Sequence, residues 1–304
     1  MPNVIDRNHL KGFFLAASAG TLWSFGALIV RYMVDAQSYQ WHYLYYRGLA
    51  IAIFLIIYLI IKEGGACVFS MQHIGLSGLI GACGLLVAFG GFIWSITLTT
   101  VANTLFMFAA SPLIAAFLAW VFLAEKVRHL TSVAMAIALI GIFIMVLEGL
   151  QTGALFGNLM ALMSSAGFAV FSVSLRRRKE TPKFATVVLA GVLCASVSIL
   201  ILLINHQQLA MPLQNIYLSM LHGIIVGFGL ILFSKGARFL PAAELVLVSL
   251  MEVVCGVLWV YLPIFGIHEV PSLLTVFGGA ILLCAIAING LGTHPNQRII
   301  GITS

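Results

Sequence analysis

The segment TTVANTLFMFAASPLIAAFLAWVFLAE, residues Thr99–Glu125, decides the fold of this chain. It is apolar for long enough to cross a bilayer as a helix, which takes about 20 residues, and it carries Pro112 near its middle. A related segment, FLPAAELVLVSLMEVVCGVLWVYLPIFGIHE, covers Phe239–Glu269. A spanning segment that recurs together with its flanks indicates a membrane protein built from two similar halves.

The composition supports a membrane location. The 304 residues are 62% hydrophobic and 8% charged, whereas a soluble domain carries roughly 25% charged residues. The chain therefore lacks the polar surface that it would need to face water on all sides. Its net charge of +6 is explained by basic loops on one side of the membrane and predicts no nucleic-acid partner.

Ten apolar segments are long enough to span a bilayer, so the sequence predicts an all-α integral membrane protein with ten transmembrane helices. The connecting loops are short, and no soluble domain is expected between them. The predicted spans are Lys11–Tyr32, Trp41–Ile61, His73–Thr97, Val101–Leu123, Leu130–Leu147, Gly153–Leu175, Phe184–Ile204, Leu213–Lys235, Phe239–Leu262 and Pro271–Leu291.

The basic residues predict the orientation of these spans. When the N-terminus is placed in the cytoplasm, all of the 15 Lys and Arg residues except Arg31 and Arg47 fall on the cytoplasmic side. The predicted outer loops then carry no Lys or Arg, which is the asymmetry of the positive-inside rule. We expect a multi-pass protein of the cell inner (cytoplasmic) membrane with both termini in the cytoplasm.

Five spans in each half would insert the second half upside down relative to the first. Ala16–Arg31 aligns with Ala161–Arg176, and Arg31 would then lie outside while Arg176 lies inside. We expect two inverted five-helix repeats, residues 1–150 and 151–304. Inverted repeats of this kind are typical of transporters that work by alternating access, with the substrate bound near the middle of the membrane.

Several of these features resemble the EamA-type family of drug/metabolite transporters. They are Trp23, Arg47, the segment TTVANTLF (residues 99–106) with Pro112 downstream, the Leu-x-Glu ending at Glu125, and Glu269 before the tenth span. The resemblance implies a ten-helix, inverted-repeat carrier of small metabolites with a central cavity. One branch of that family exports aromatic and other neutral amino acids, and this sequence is similar to it in length and general pattern.

The second half departs from the first at two acidic positions. Glu252 stands where the first half has Pro112, and Glu244 stands where it has Thr104. Ionisable groups inside spans are costly and usually functional. Glu252 could bind a substrate ammonium group or carry a coupled proton, or it could form a hydrogen bond that holds the helices together. Glu244, two turns nearer the cytoplasm, has the same alternatives.

Two other polar residues are candidates for the site. Arg47 could hold a carboxylate through two parallel hydrogen bonds, or it could form a structural ion pair with an acid such as Glu252. His222, near the middle of the eighth span, could relay protons or make a single structural hydrogen bond. We also include Asn103, the amide residue of TTVANTLF, among the candidate substrate-binding residues.

Aromatic residues inside the spans could form a stacking wall for a flat or apolar substrate, although most aromatic residues of a helix bundle serve packing or contact lipid. Pro112 removes a backbone hydrogen bond within the fourth span and is predicted to act in gating. The aromatic candidates are Trp23, Trp94, Phe108, Phe168 and Phe228.

The sequence contains no P-loop, so ATP is not expected to drive transport directly. It contains no cluster of metal ligands and no nucleophile elbow either, so we expect no metal, no cofactor and no enzymatic activity. A secondary transporter of a small organic metabolite is favoured, and an intramembrane enzyme or a signalling receptor is the alternative. The substrate, the direction of transport, proton coupling against facilitated diffusion, and a monomeric or dimeric state are left open.

Overall fold

The computed structural model describes residues 7–64, 71–124, 129–177, 182–236, 239 and 248–291, and within these ranges it contains helices and no β-strand. The protein is therefore an all-α membrane protein, as predicted. Its helices are α1 (Arg7–Arg31), α2 (Gln40–Glu63), α3 (Gly75–Leu98), α4 (Val101–Phe108), α5 (Ser111–Leu123), α6 (His129–Thr152), α7 (Leu155–Arg177), α8 (Lys183–Ile204), α9 (Leu213–Gly236), α10 (Met251–Tyr261) and α11 (Leu273–Leu291), with a 3-10 turn at Pro263–Phe265.

Eight segments of the described chain are long and apolar enough to cross a membrane, with α4 and α5 together forming one of them. The ninth and tenth predicted spans correspond to the shorter apolar helices α10 and α11. Residues 240–247, which belong to the ninth predicted span, lie outside the described residues. Helix α6 continues to Thr152, beyond the predicted end at Leu147, and this extension brings Glu148 into the helix.

Helices from the first half of the chain pack mainly against helices from the second half. Helix α3 lies against α7, α2 against α8, α6 against α11, and α1 against both α9 and α10. The pattern of contacts is the same in the two halves when each span of the first half is matched with the span five positions later in the second half. For example, the contact between the third and sixth spans (α3 with α7) corresponds to that between the eighth and first spans (α9 with α1).

Glycines bring two of these pairs into backbone contact. A Cβ atom added to Gly48 of α2 would lie 2.7 Å from the carbonyl oxygen of Gly191 on α8, and one added to Gly191 would lie 2.8 Å from the carbonyl oxygen of Gly48. Gly141 of α6 and Gly278 of α11 face each other in the same way, at 2.6 and 2.8 Å. Small residues therefore let the two halves approach closely.

Candidate functional site

The fourth span is broken at residues 109–110, between α4 and α5, and Pro112 lies in the first turn of α5. Because proline has no N–H group, it cannot donate to the carbonyl of Phe108, four residues earlier. The hydroxyl of Ser165 on α7 donates to that carbonyl instead, at 3.2 Å. Ser165, from the second half, thus supplies the hydrogen bond that the Phe108 carbonyl does not receive within its own span. A backbone carbonyl away from water needs such a partner.

The ninth span has the same local geometry at the matching position. Two successive N–H groups of α5 donate to the carbonyl of Ala110, and two successive N–H groups of α10 donate to the carbonyl of Leu250. Glu252 lies in the first turn of α10, as Pro112 does in α5. The acid is therefore placed where a helix begins near the middle of the predicted span.

Pro112→Ala is expected to slow transport several-fold more than it weakens substrate binding. Alanine restores an N–H group that can donate to the Phe108 carbonyl, so it favours one continuous helix over the break. An open apolar groove of about 220 Å³ lies beside the break, between α5 and α6. Exchange rates in proteoliposomes and binding affinity in detergent measure the two effects, and Ser165→Ala is the matched control. Weaker binding with an unchanged exchange rate would count against a gating role.

Arg47 of α2 is buried at the centre of the bundle. Its guanidinium carbon lies 4.4 Å from the centroid of the Phe89 ring on α3 and 5.9 Å from that of Tyr43, one turn earlier on α2. The Nε and Nη1 atoms are shielded from solvent and have no hydrogen-bond partner among the described residues. A buried charged group whose donors are unused is costly, so these two atoms mark a place that suits an acceptor.

A second charged group, Glu252, lies on α10 in the second half of the chain. The two charged groups interact electrostatically, but no salt bridge joins them in the described structure. The Glu252 side chain is only partly buried, and within the described residues its carboxyl accepts no hydrogen bond. The predicted ion pair between Arg47 and Glu252 is thus not formed in this structure, and both groups retain hydrogen-bonding capacity.

An aromatic chain continues from these charges across the interface between the halves. Tyr43 and Nδ1 of His222 on α9 are hydrogen-bonded, and the His222 ring lies 6.4 Å from that of Phe92. Phe92 in turn lies 6.4 Å from Phe108, and Phe108 lies 5.6 Å from Phe168 on α7. We call the following set the central cluster: Tyr43, Arg47, Phe89, Phe92, Phe108, Phe168, His222 and Glu252.

The other predicted site residues lie elsewhere. Trp23 packs against Phe233 and donates a hydrogen bond to the carbonyl of Val226, and Trp94 packs against Trp41. Asn103 is buried in a separate polar network with Thr275. Phe228 is 47% exposed, on the face of α9 opposite the buried Val226 and Leu230, and the structure does not bring it to the central cluster. Glu244 lies outside the described residues.

Three members of the central cluster were not predicted from the sequence. Tyr43 precedes Arg47 by four residues, so a helical α2 places both on one face, and this spacing could have identified it. Phe89 and Phe92 have no comparable signal, because the serine and threonine residues of the third span lie near its two ends and do not mark the inward face at its middle. Among the described residues, no group of three or more His, Cys, Asp or Glu side chains could hold a metal ion.

Arg31 and Glu269 form an ion pair at one end of the bundle. Nε of Arg31 lies 2.9 Å from Oε2 of Glu269, and its other nitrogens donate to the carbonyls of Ile96 and Thr99. Oε1 of Glu269 accepts a hydrogen bond from the N–H of Val101 at 2.6 Å, at the positive end of the α4 dipole. We call Arg31, Thr99, Val101 and Glu269 the latch, since they join the two halves.

Comparison with known proteins supports the fold first. No curated protein matches the chain. Among the solved structures that match it, one crystal structure has a TM-score of 0.63 and 19% sequence identity, over 92% of this chain and 96% of the other. At that identity the likeness concerns the fold alone. Residues 10–147 match the model of the EamA-like transporter family. Over these residues the chain is similar to the EamA-like transporter family, which supports a multi-pass membrane transporter of small molecules.

Proposed function

We propose that this protein is a secondary transporter that exports a neutral, aromatic amino acid across the cytoplasmic membrane. Transport would occur by alternating access between two inverted repeats, residues 1–150 and 151–304. The observation that carries the proposal is the buried Arg47, with unused N–H donors, near the partly exposed Glu252 in an aromatic cluster between the halves. The export direction follows from the family branch that the sequence resembles.

Arg47 would bind the substrate carboxylate. A guanidinium presents its N–H donors in a planar fork that matches the two oxygens of a carboxylate. Nε and Nη1 of Arg47 have no partner in the part of the chain that the structure describes, so a carboxylate would satisfy donors that are otherwise buried without a hydrogen bond. A ligand without a carboxylate would leave the buried positive charge uncompensated.

Glu252 would bind the substrate ammonium group. Its carboxyl is free of hydrogen bonds from described residues and is partly exposed, on the helix start that matches Pro112 in the other half. An α-amino acid carries one positive and one negative group on the same carbon atom, so Glu252 and Arg47 could each bind the group of opposite charge. Because the ligand as a whole is neutral, loading the site adds no net charge to the membrane interior.

The aromatic members of the central cluster favour an aromatic side chain. Phe92, Phe108 and Phe168 follow one another at 5.6 to 6.4 Å between ring centroids, so a further ring could join them in edge or offset contact. These residues come from both halves of the chain. Rocking of one half against the other would therefore separate the aromatic wall and release the substrate.

Counterflow in proteoliposomes tests this function. Vesicles loaded with unlabelled phenylalanine are expected to accumulate labelled phenylalanine transiently, and the label should leave the vesicles chemically unchanged. An intramembrane enzyme would change the identity of the label, and a receptor would not accumulate it. Vesicles without protein and vesicles with the Arg47→Met variant are the controls. Equal accumulation in all three preparations would reject the proposal.

A further inference from the structure

A chain of hydrogen bonds between buried polar side chains lies apart from the central cluster. Glu148 near the end of α6, Thr275 of α11 and Asn103 of α4 are 8%, 1% and 4% exposed. Oγ1 of Thr275 lies 2.8 Å from Oε2 of Glu148 and 2.8 Å from Oδ1 of Asn103. Nδ2 of Asn103 donates to Oγ1 of Thr99 at 3.2 Å. The chain thus runs from an acid in α6 to the turn between α3 and α4.

The geometry of these hydrogen bonds limits the number of protons that the connected side chains can share. A threonine hydroxyl has one proton to donate, while an ionised carboxylate and an amide oxygen only accept. If Glu148 were ionised with Asn103 in the orientation above, one of the two contacts of Thr275 would have no proton. Two arrangements avoid this conflict, and they differ by the proton on Glu148.

In the first arrangement Glu148 is protonated and donates to Thr275. Thr275 donates to Oδ1 of Asn103, and Nδ2 of Asn103 donates to Thr99. In the second arrangement Glu148 is ionised and the Asn103 amide is turned over, so that every hydrogen bond runs the other way, from Thr99 towards Glu148. Oxygen and nitrogen of an amide have nearly the same shape, so both arrangements fit the same space.

The surroundings of Glu148 offer little compensation for a negative charge. Helices α5, α7 and α11 pack against α6, and α4 reaches Glu148 through Asn103. The titratable residues with described side chains on these four helices are Arg177 of α7 and Cys284 of α11, and Cys284 follows Thr275 by about 13 Å of helix. On α6 itself, His129 begins the helix at its other end. The charged pair Arg31 and Glu269 is separated from Glu148 by Thr99, Asn103 and Thr275.

We propose that Glu148 is a proton-binding site of this transporter, separate from the substrate site. Binding adds one proton to a carboxylate oxygen, and release leaves an ionised carboxylate. Either step reverses the hydrogen-bond chain through Thr275 and Asn103 to Thr99. The hydrogen-bond chain therefore ends at the hydroxyl of Thr99, whose backbone carbonyl accepts a hydrogen bond from Arg31 of the latch.

Infrared spectroscopy of the full-length protein in lipid nanodiscs tests this assignment. A protonated carboxylic acid gives a carbonyl stretching band that is separate from the bands of carboxylates and amides. We expect such a band in the wild-type protein, its retention in Glu252→Gln and its loss in Glu148→Gln. Glutamine at position 148 can donate to Thr275 as the protonated acid does, so the melting temperature of Glu148→Gln should match that of wild type.

Substitution of Thr275 provides a second, independent readout. Thr275→Val removes the hydroxyl and should shift the Glu148 band to higher frequency, whereas Thr275→Ser keeps the hydroxyl and should leave the band in place. A band that is unchanged in both Glu148→Gln and Thr275→Val, or no such band at any pH at which the protein is folded, would overturn the proposal. The assay uses no substrate, so its outcome is independent of whether the transporter carries amino acids.

Discussion

Arg47→Met is expected to weaken the binding of an aromatic amino acid by roughly 10²-fold or more, without lowering the melting temperature of the protein. Each hydrogen bond to a charged group contributes about 1.5–3 kcal/mol, and two of them would be lost with the guanidinium. At about 1.4 kcal/mol for each tenfold change, the loss exceeds two orders of magnitude. The fold should not suffer, because Nε and Nη1 of Arg47 form no hydrogen bond with any described residue.

Isothermal titration calorimetry and thermal unfolding of purified protein measure these two quantities. Arg47→Lys is the matched control, since it keeps the positive charge but loses the planar fork, and we expect an intermediate affinity. If Arg47 instead serves a structural ion pair, the outcome is the reverse. Arg47→Met would then leave the affinity unchanged and lower the melting temperature, because a buried acid would lose its partner.

Glu269→Gln is expected to favour conformations in which the latch is open, by a factor of about 5–30. The carboxylate accepts hydrogen bonds from Arg31 and from the N–H of Val101 at the start of α4. Arg31 and Glu269 are 24% and 20% exposed, so solvent weakens the pair, and we assign it a modest stabilisation of about 1–2 kcal/mol. A loss of that size changes a two-state equilibrium by about this factor.

Spin labels at Ser38 and Val270 report the opening, since these exposed positions lie in the α1–α2 and α10–α11 connections. Electron–electron double resonance should give a single short distance in the parent protein and an additional longer distance in Glu269→Gln. Arg31→Gln should produce the same longer distance, and the double variant should add little to either single change. A distance distribution that is identical in all four proteins would show that the latch does not control this end of the bundle.

The spans could be predicted from hydropathy because a helix in hydrocarbon must satisfy its own backbone and present an apolar surface. The break in the fourth span was foreseeable from Pro112, since proline lacks the N–H that continues a helix. The replacement donor, Ser165, was not foreseeable, because it comes from the other half. The partners Arg31 and Glu269 were recognised as span ends but not as a pair, since 238 residues separate them.

The side of a helix that faces the protein was the least predictable feature. Lipid and the protein interior are both apolar, so a Phe in a span carries no sign of which one it contacts. Phe168 and Phe228 were therefore equivalent in the sequence, although the first joins the central cluster and the second is exposed. Glu148 was missed for a different reason. The predicted fifth span ended one residue earlier, at Leu147, so the acid was assigned to a loop.

The binding of the substrate carboxylate by Arg47 and of the ammonium group by Glu252 is tested most directly with three ligands on three proteins. Phenylalanine, 2-phenylethylamine, which lacks the carboxylate, and 3-phenylpropanoate, which lacks the amine, are titrated into wild type, Arg47→Met and Glu252→Gln. We expect Arg47→Met to bind phenylalanine no better than 2-phenylethylamine, and Glu252→Gln to bind phenylalanine no better than 3-phenylpropanoate. Wild type should bind phenylalanine more tightly than either analogue. Equal weakening of all three ligands by both substitutions, or no weakening at all, would contradict this mode of binding.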